Sequence, residues 1–107
     1  EPKPYVVGRL RVDPSQGTAT YAGEELRLTA TEFRLLAAIA AAPGRLFSRA
    51  ELIERALPES DIVERTLDSH LKNLRRKLSL AGAPELIATV RGMGFRLEER
   101  AAVEAMR

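Results

Sequence analysis

The sequence predicts an α+β domain with an antiparallel sheet at its N-terminal end, three helices after it, and a β-hairpin to close. Three observations carry that prediction. Short period-2 runs broken by turns fill Gly8 to Thr29, two S/T-x-x-E signatures and a leucine stripe mark three helices between Thr29 and Leu78, and two alternating runs flank RGMG.

Residues 1–7, EPKPYVV, carry two prolines and read as the remnant of a linker. The domain proper then spans residues 8–98, and residues 99–107 read as a C-terminal tail, frayed or helical. GRLRVD, TATY and LRLT are the strand candidates, with PSQG and AGEE as turns, so a sheet of three or four strands is expected. A sheet that small must pack on something else to be stable.

Thr29 and Glu32 form a capping box ahead of TEFRLLAAIAAA, whose Phe33, Leu36, Ile39 and Ala40 point one way, and Pro43-Gly44 ends the helix. RLF is a connector or short strand. Ser48 and Glu51 repeat the box and open SRAELIERAL, with Leu52, Ile53, Ala56 and Leu57 on its buried side and Pro58 as its stop.

The third helix is the organising element. It is expected from Asp61 to about Leu78, DIVERTLDSHLKNLRRKL, with Asp61 as N-cap and Glu64 at N3. Leu67, Leu71, Leu74 and Leu78 stack as one apolar stripe at a period near 3.6 and must be buried. Arg65, Ser69, Lys72 and Arg76 lie on the opposite face with Asn73 beside them, and Thr66, His70, Arg75 and Lys77 flank the stripe. Two helices, a short loop and a third helix with a basic outer face suit a helix-turn-helix. LIATVR and FRLEE then alternate around RGMG, with Arg91 at the tip of the hairpin and Arg96 on its return strand.

Composition narrows the function classes. A chain of 107 residues with 45% apolar and 30% charged residues suits one folded domain. It contains no run long enough to span a membrane and no secretory leader, and the absence of cysteine fits a reducing compartment, so a cytoplasmic location is expected. The net charge of +2 hides an asymmetry. From Glu64 to Arg96 there are seven basic and three acidic residues, a local +4 that leaves −2 elsewhere. Such a face is the footprint of a polyanion binder.

LTATEFRLLAAIAAAPGRLFSRAELI, ERTLDSHLKNLRRKL and IATVRGMGFRL together resemble the winged helix-turn-helix effector domain of the OmpR/PhoB family of bacterial two-component response regulators. The likeness covers roughly Gly8 to Glu98, with the motifs in the family's order and spacing. It implies the same α+β fold, with the hairpin as the wing, and sequence-specific binding of double-stranded promoter DNA in control of transcription. It further implies two copies on tandem half-sites, RNA polymerase as a candidate partner, and a receiver domain with its sensor kinase upstream in full-length relatives.

Residue by residue, Ser69, Lys72 and Asn73 match the base-facing positions. Lysine suits guanine O6 or N7, and asparagine suits adenine. Arg65, Thr66, His70 and Arg75 match phosphate or groove-edge positions; Arg76 on the same outer face joins them, as do Thr89 on the hairpin and Arg49 in the first turn of the second helix. Arg91 matches the residue directed into the minor groove. If five or six phosphates are neutralised, log affinity should fall against log salt with a slope of about −5.

Rival readings stay open at two positions. His70 also suits a half-buried polar residue bonded to a neighbour, and Arg75 also suits a packed stem with its guanidinium paired to an acid such as Asp68. Several departures from the family stand out. Phe95 replaces a tyrosine and reads as core, Lys72 and Asn73 stand where arginine is common, and Leu57-Pro58-Glu59 replaces a Trp-Gly pair in the loop before the third helix. An enzyme would need a nucleophile with its base, or a metal site. A single histidine, no cysteine and scattered carboxylates supply neither, so neither cofactor nor metal is expected.

Overall fold

A computed structural model describes residues 3–59 and 62–98. Four strands, β1 (Tyr5–Val7), β2 (Leu10–Asp13), β3 (Thr18–Tyr21) and β4 (Glu24–Glu25), form an antiparallel sheet in sequential order. Leu10 faces Val7 and Tyr21 across the ladder, and Val12 faces Tyr5 and Ala19. Val7, Leu10, Val12, Ala19 and Tyr21 therefore share the buried face, while Val6 and Arg11 point to solvent. The linker reading of residues 1–7 needs correction at its end, because Tyr5–Val7 is the edge strand of the sheet. LRLT is not a strand either. Strand pairing stops at Glu25, and Leu26 begins an irregular connector, with its side chain buried and its amide donating to Ala19 O.

The β3–β4 hairpin turns through Ala22 and Gly23, both at positive φ (52° and 85°). Two-residue hairpins of this hand demand that conformation, which glycine adopts freely and alanine does not.

Helix α1 (Ala30–Ala40) starts on the full capping box. Thr29 Oγ1 accepts from the Glu32 amide, and Glu32 Oε1 accepts from the Thr29 amide. Leu35, Leu36, Ile39 and Ala40 are buried, whereas Phe33 is only half-buried. Helix α2 (Arg49–Ala56) uses half of its expected box. Ser48 Oγ accepts from the Glu51 amide, but the Glu51 carboxylate turns to Arg45 Nη2 at 2.6 Å.

Helix α3 (Glu64–Leu80) is capped at Val63, two residues later than the Asp61 cap the sequence suggested, and runs two residues further. Val63 is its N-cap and offers no side-chain acceptor; Asp61 lies outside the described residues, as does the tail 99–107. Ile62 is packed against the core in non-helical backbone, which fits the low helix propensity of the β-branched pair Ile62-Val63. The leucine stripe is as expected: Leu67, Leu71, Leu74 and Leu78 are all buried.

Strands β5 (Ile87–Val90) and β6 (Gly94–Leu97) make the C-terminal hairpin, and RLF joins it. Phe47 exchanges both backbone hydrogen bonds with Phe95, each 2.8 Å. Gly94, at φ 143°, lies where that crossing is tightest. A Cβ there would sit 1.9 Å from Phe47 O, so a close backbone approach, more than the turn itself, requires the glycine.

Candidate nucleic-acid interface

The four buried leucines of α3 fix its rotation, and so force the opposite side outward. Arg65, Ser69, Lys72, Asn73 and Arg76 are all exposed. Among the described residues none of the five makes a side-chain hydrogen bond or ion pair. From Arg65 to Arg76 the helix rises about 16 Å, enough to pass four or five base-pair steps. Three free cations, an amide and a hydroxyl on one convex ridge form a surface suited to a polyanion carrying hydrogen-bonding edges.

The flanking residues behave differently. Thr66 Oγ1 donates to Val63 O at 2.9 Å, so its proton is engaged in closing the first turn of α3. His70 is half-buried at the rim of the ridge and makes no side-chain hydrogen bond among the described residues. Arg49 donates from Nε and Nη2 to the two oxygens of Asp68, at 2.9 and 3.2 Å, joining α2 to α3. That hydrogen bond, against the opposing effect of desolvation, raises the Arg49 pKa above its ordinary value. An exposed pair of this kind contributes little to stability. Its effect is electrostatic: Asp68 sits beside the outward ridge, where a bare carboxylate would repel phosphate.

Arg75 does not pair with Asp68. Its Nη2 donates to Thr89 Oγ1 on β5 at 2.5 Å, and its guanidinium lies 5.6 Å from the centre of the Phe95 ring. Arg49 approaches the same ring to 4.9 Å. Phe95 is buried, as expected from the sequence, but it also serves as a platform for two guanidinium groups from different helices. Sequence separations of 19 residues for Arg49–Asp68 and 14 for Arg75–Thr89 gave no local signal of either link.

The hairpin presents Arg91 in its loop, exposed, with Gly92 at positive φ and Met93 60% exposed beside it. Arg96 donates to Glu98 at 2.6 Å. Beneath the ridge, Lys77 reaches across to α1, where its Nζ donates to Glu32 Oε1 at 2.6 Å. Burial pushes the Glu32 carboxyl up, but the Lys77 ammonium and the Thr29 amide outweigh it and hold the group below the usual glutamate value. The sequence marks Glu32 only as a capping residue; the structure also makes it a buried link between α1 and α3.

Among the described residues no group of three or more His, Cys, Asp or Glu could hold a metal ion, and no helix is long and apolar enough to cross a membrane.

A sheet, three helices with the third facing outward, and a hairpin beside it define a winged helix-turn-helix domain. The chain belongs to the family described as "Transcriptional regulatory protein, C terminal", whose model matches residues 23–97, and it is of the OmpR/PhoB type. That family consists of transcription regulators, not enzymes. The chain is 43% identical over 91 residues to the transcriptional regulatory protein BaeR of Escherichia coli O6:H1, covering 83% of this chain and 38% of BaeR. It is 39% identical over 92 residues to the phosphate regulon transcriptional regulatory protein PhoB of Rhizobium meliloti, covering 85% and 40%. It thus spans about two fifths of the length of these relatives. Among solved structures, the DNA-binding domain of response regulator AdeR in complex with an intercistronic region superimposes with a TM-score of 0.80 at 32% identity, covering 88% of this chain and 97% of that one. The Klebsiella pneumoniae RstA DNA-binding domain in complex with the RstA box gives 0.78 at 29%, covering 92% and 99%.

Proposed function

We propose that the chain is the DNA-binding effector part of a two-component response regulator, and that it reads promoter DNA with α3 in the major groove and the β5–β6 wing at the adjacent minor groove. The observation that carries this reading is the outward ridge of α3, whose polar and cationic side chains make no side-chain hydrogen bond or ion pair among the described residues. The AdeR and RstA domains, of the same fold, were solved in complex with DNA.

Ser69, Lys72 and Asn73 are assigned to base edges. Each good contact there is worth about 1–3 kcal/mol of discrimination. Arg65, His70 and Arg76 are assigned to phosphates, as is Thr66 once its hydroxyl turns away from Val63, and Arg91 to the minor groove. With Arg49, Arg75 and Lys77 engaged inside the domain, the cations on α3 and the wing that have no side-chain partner among the described residues are Arg65, Lys72, Arg76 and Arg91. The salt slope expected from the structure is therefore about −4, shallower than the −5 expected from sequence. In the full-length protein a receiver domain and its sensor kinase precede this step in the cytoplasm, two copies occupy tandem half-sites, and RNA polymerase is the downstream partner.

Selection from a randomised duplex library with the domain, followed by affinity against salt on the winning sequence, tests the assignment. Enrichment of a short motif with a slope near −4 is expected. Binding without enrichment, or without salt dependence, would overturn it.

A further inference from the structure

We propose that Arg75 is a positioning residue, acting on DNA through the Thr89 hydroxyl instead of touching a phosphate itself. This rests on the DNA-binding reading above and assigns one of its parts.

The geometry that leads there is local. Arg75 projects from the flank of α3, between the leucine stripe and the outward ridge, and meets β5 rather than solvent. Its Nη2 donates to Thr89 Oγ1, its Cζ lies over the Phe95 ring at 5.6 Å from the centroid, and its Nε is buried with no acceptor among the described residues. A guanidinium whose inner nitrogen is shut away from water can swing out to a phosphate only by giving up the hydroxyl and the ring together. Phe95 in turn cannot follow it, because its backbone is bonded in both directions to Phe47.

Thr89, by contrast, is exposed on the strand that leads into the wing loop. A hydroxyl has one proton to donate and two lone pairs to accept with. Arg75 fills a lone pair with a charged donor, which leaves the proton of Thr89 free and polarises the O–H bond toward a second acceptor. An outward phosphate oxygen is such an acceptor. Arg75 thus fixes the hydroxyl's rotation before DNA arrives, and ties the wing to α3 so that both meet the duplex at a set separation. The second guanidinium on Phe95, Arg49, is held by Asp68 and braces the ring from α2.

Direct contact and positioning differ in the salt dependence. A lysine or arginine on a phosphate displaces counterions, and its loss lowers the slope of log affinity against log salt by about one; loss of a neutral hydroxyl's hydrogen bond leaves the slope alone. The test measures affinity across a salt series on the selected duplex for the wild type, Arg75→Met, Thr89→Val, Thr89→Ser and the Arg75→Met/Thr89→Val double variant, each checked by circular dichroism to be folded at the assay temperature.

Arg75→Met and Thr89→Val should each weaken binding about three- to tenfold, as expected for one hydrogen bond. The double variant should be no weaker than the worse single by more than about twofold, since coupled residues are not additive. Thr89→Ser should restore affinity, and every slope should equal that of the wild type. A slope lowered by about one in Arg75→Met, with losses that multiply in the double variant, would overturn the proposal and make Arg75 a phosphate ligand. Should Arg75→Met fail to fold, Arg75→Gln, which keeps an amide donor in place of the charge, is read by the same slope criterion. A wild type that shows neither sequence preference nor salt dependence would sink the DNA reading itself, a different result from either of these.

Discussion

Lys77→Met should be among the most destabilising single changes on α3, although Lys77 faces away from the proposed DNA surface. The Lys77 side chain is 25% exposed, but that of Glu32, whose carboxylate it serves, is only 3% exposed. Removing one partner of a buried ion pair typically costs about 3–5 kcal/mol, because the remaining charge is left without compensation. Here Glu32 keeps the Thr29 amide and the lysine end is partly wet, so about 2–3 kcal/mol is expected, or a fall in Tm of order 10 °C. The loss should depend on pH. The folded Glu32 carboxyl lies below its ordinary value of 4.5, so the stabilisation is fully present above that value and disappears as pH falls through the folded pKa. Lys77→Met should therefore differ from the wild type at pH 7 and converge with it in acid. Asp13 and Glu51, also shifted down, are common to both proteins and cancel in the difference. Urea unfolding at pH 7 and in a series down to pH 3 reads this directly. A difference below about 0.5 kcal/mol at pH 7, or one that does not change with pH, would refute the role given to this pair. Glu32→Gln in the Lys77→Met background should recover part of the loss, since a neutral amide tolerates burial better than a lone carboxylate.

Gly94→Ala should cost at least about 3 kcal/mol and distort the wing, because the new Cβ would meet backbone atoms of Phe47 and Ser48 at 1.9 to 2.9 Å and none of these can rotate away; a thermal midpoint within a degree of the wild type would contradict the close crossing. Ala22→Gly should instead stabilise by about 0.5–1 kcal/mol, since relief of the left-handed strain at φ 52° exceeds the added chain entropy, and calorimetry would show the midpoint rise. Arg49→Met should weaken DNA binding by exposing the Asp68 carboxylate to phosphate, and Arg49→Met/Asp68→Asn should regain most of the affinity; no recovery in fluorescence anisotropy would mean that Arg49 touches DNA directly.

The parts of this structure that were legible in the sequence are those set by local periodicity. The leucine stripe fixed which side of α3 is buried, and hence which residues form the outward ridge. The capping residues Thr29 and Ser48 marked two helix starts correctly, because side-chain caps act within three residues. The start of α3 was misread for a related reason. Asp61 and Glu64 satisfy the spacing of a cap, but Ile62 packs against the core in non-helical backbone and extended Val63 caps the helix instead, so it begins at Glu64, a tertiary preference that no local signature records. Residues that join distant segments were equally silent. Glu32 and Lys77 are 45 residues apart, and only the packing of α1 on α3 reveals that a capping glutamate is also half of a buried ion pair. At the interface, sequence reasoning grouped Arg49, Arg75 and Arg76 as alike. The structure separates them by what each side chain holds among the described residues: Asp68 for Arg49, Thr89 for Arg75, and no side-chain partner for Arg76.

Whether the ridge of α3 reads sequence is decided by repeating the duplex selection with Asn73→Ala and with Arg65→Ala, and comparing each enriched motif with that of the wild type. Asn73→Ala should relax or change preference at one position and leave the others intact, while Arg65→Ala should retain the whole motif and weaken all sequences alike, with a salt slope reduced by about one. An unchanged motif from Asn73→Ala, or the same change from both variants, would contradict the assignment of base readout to this face.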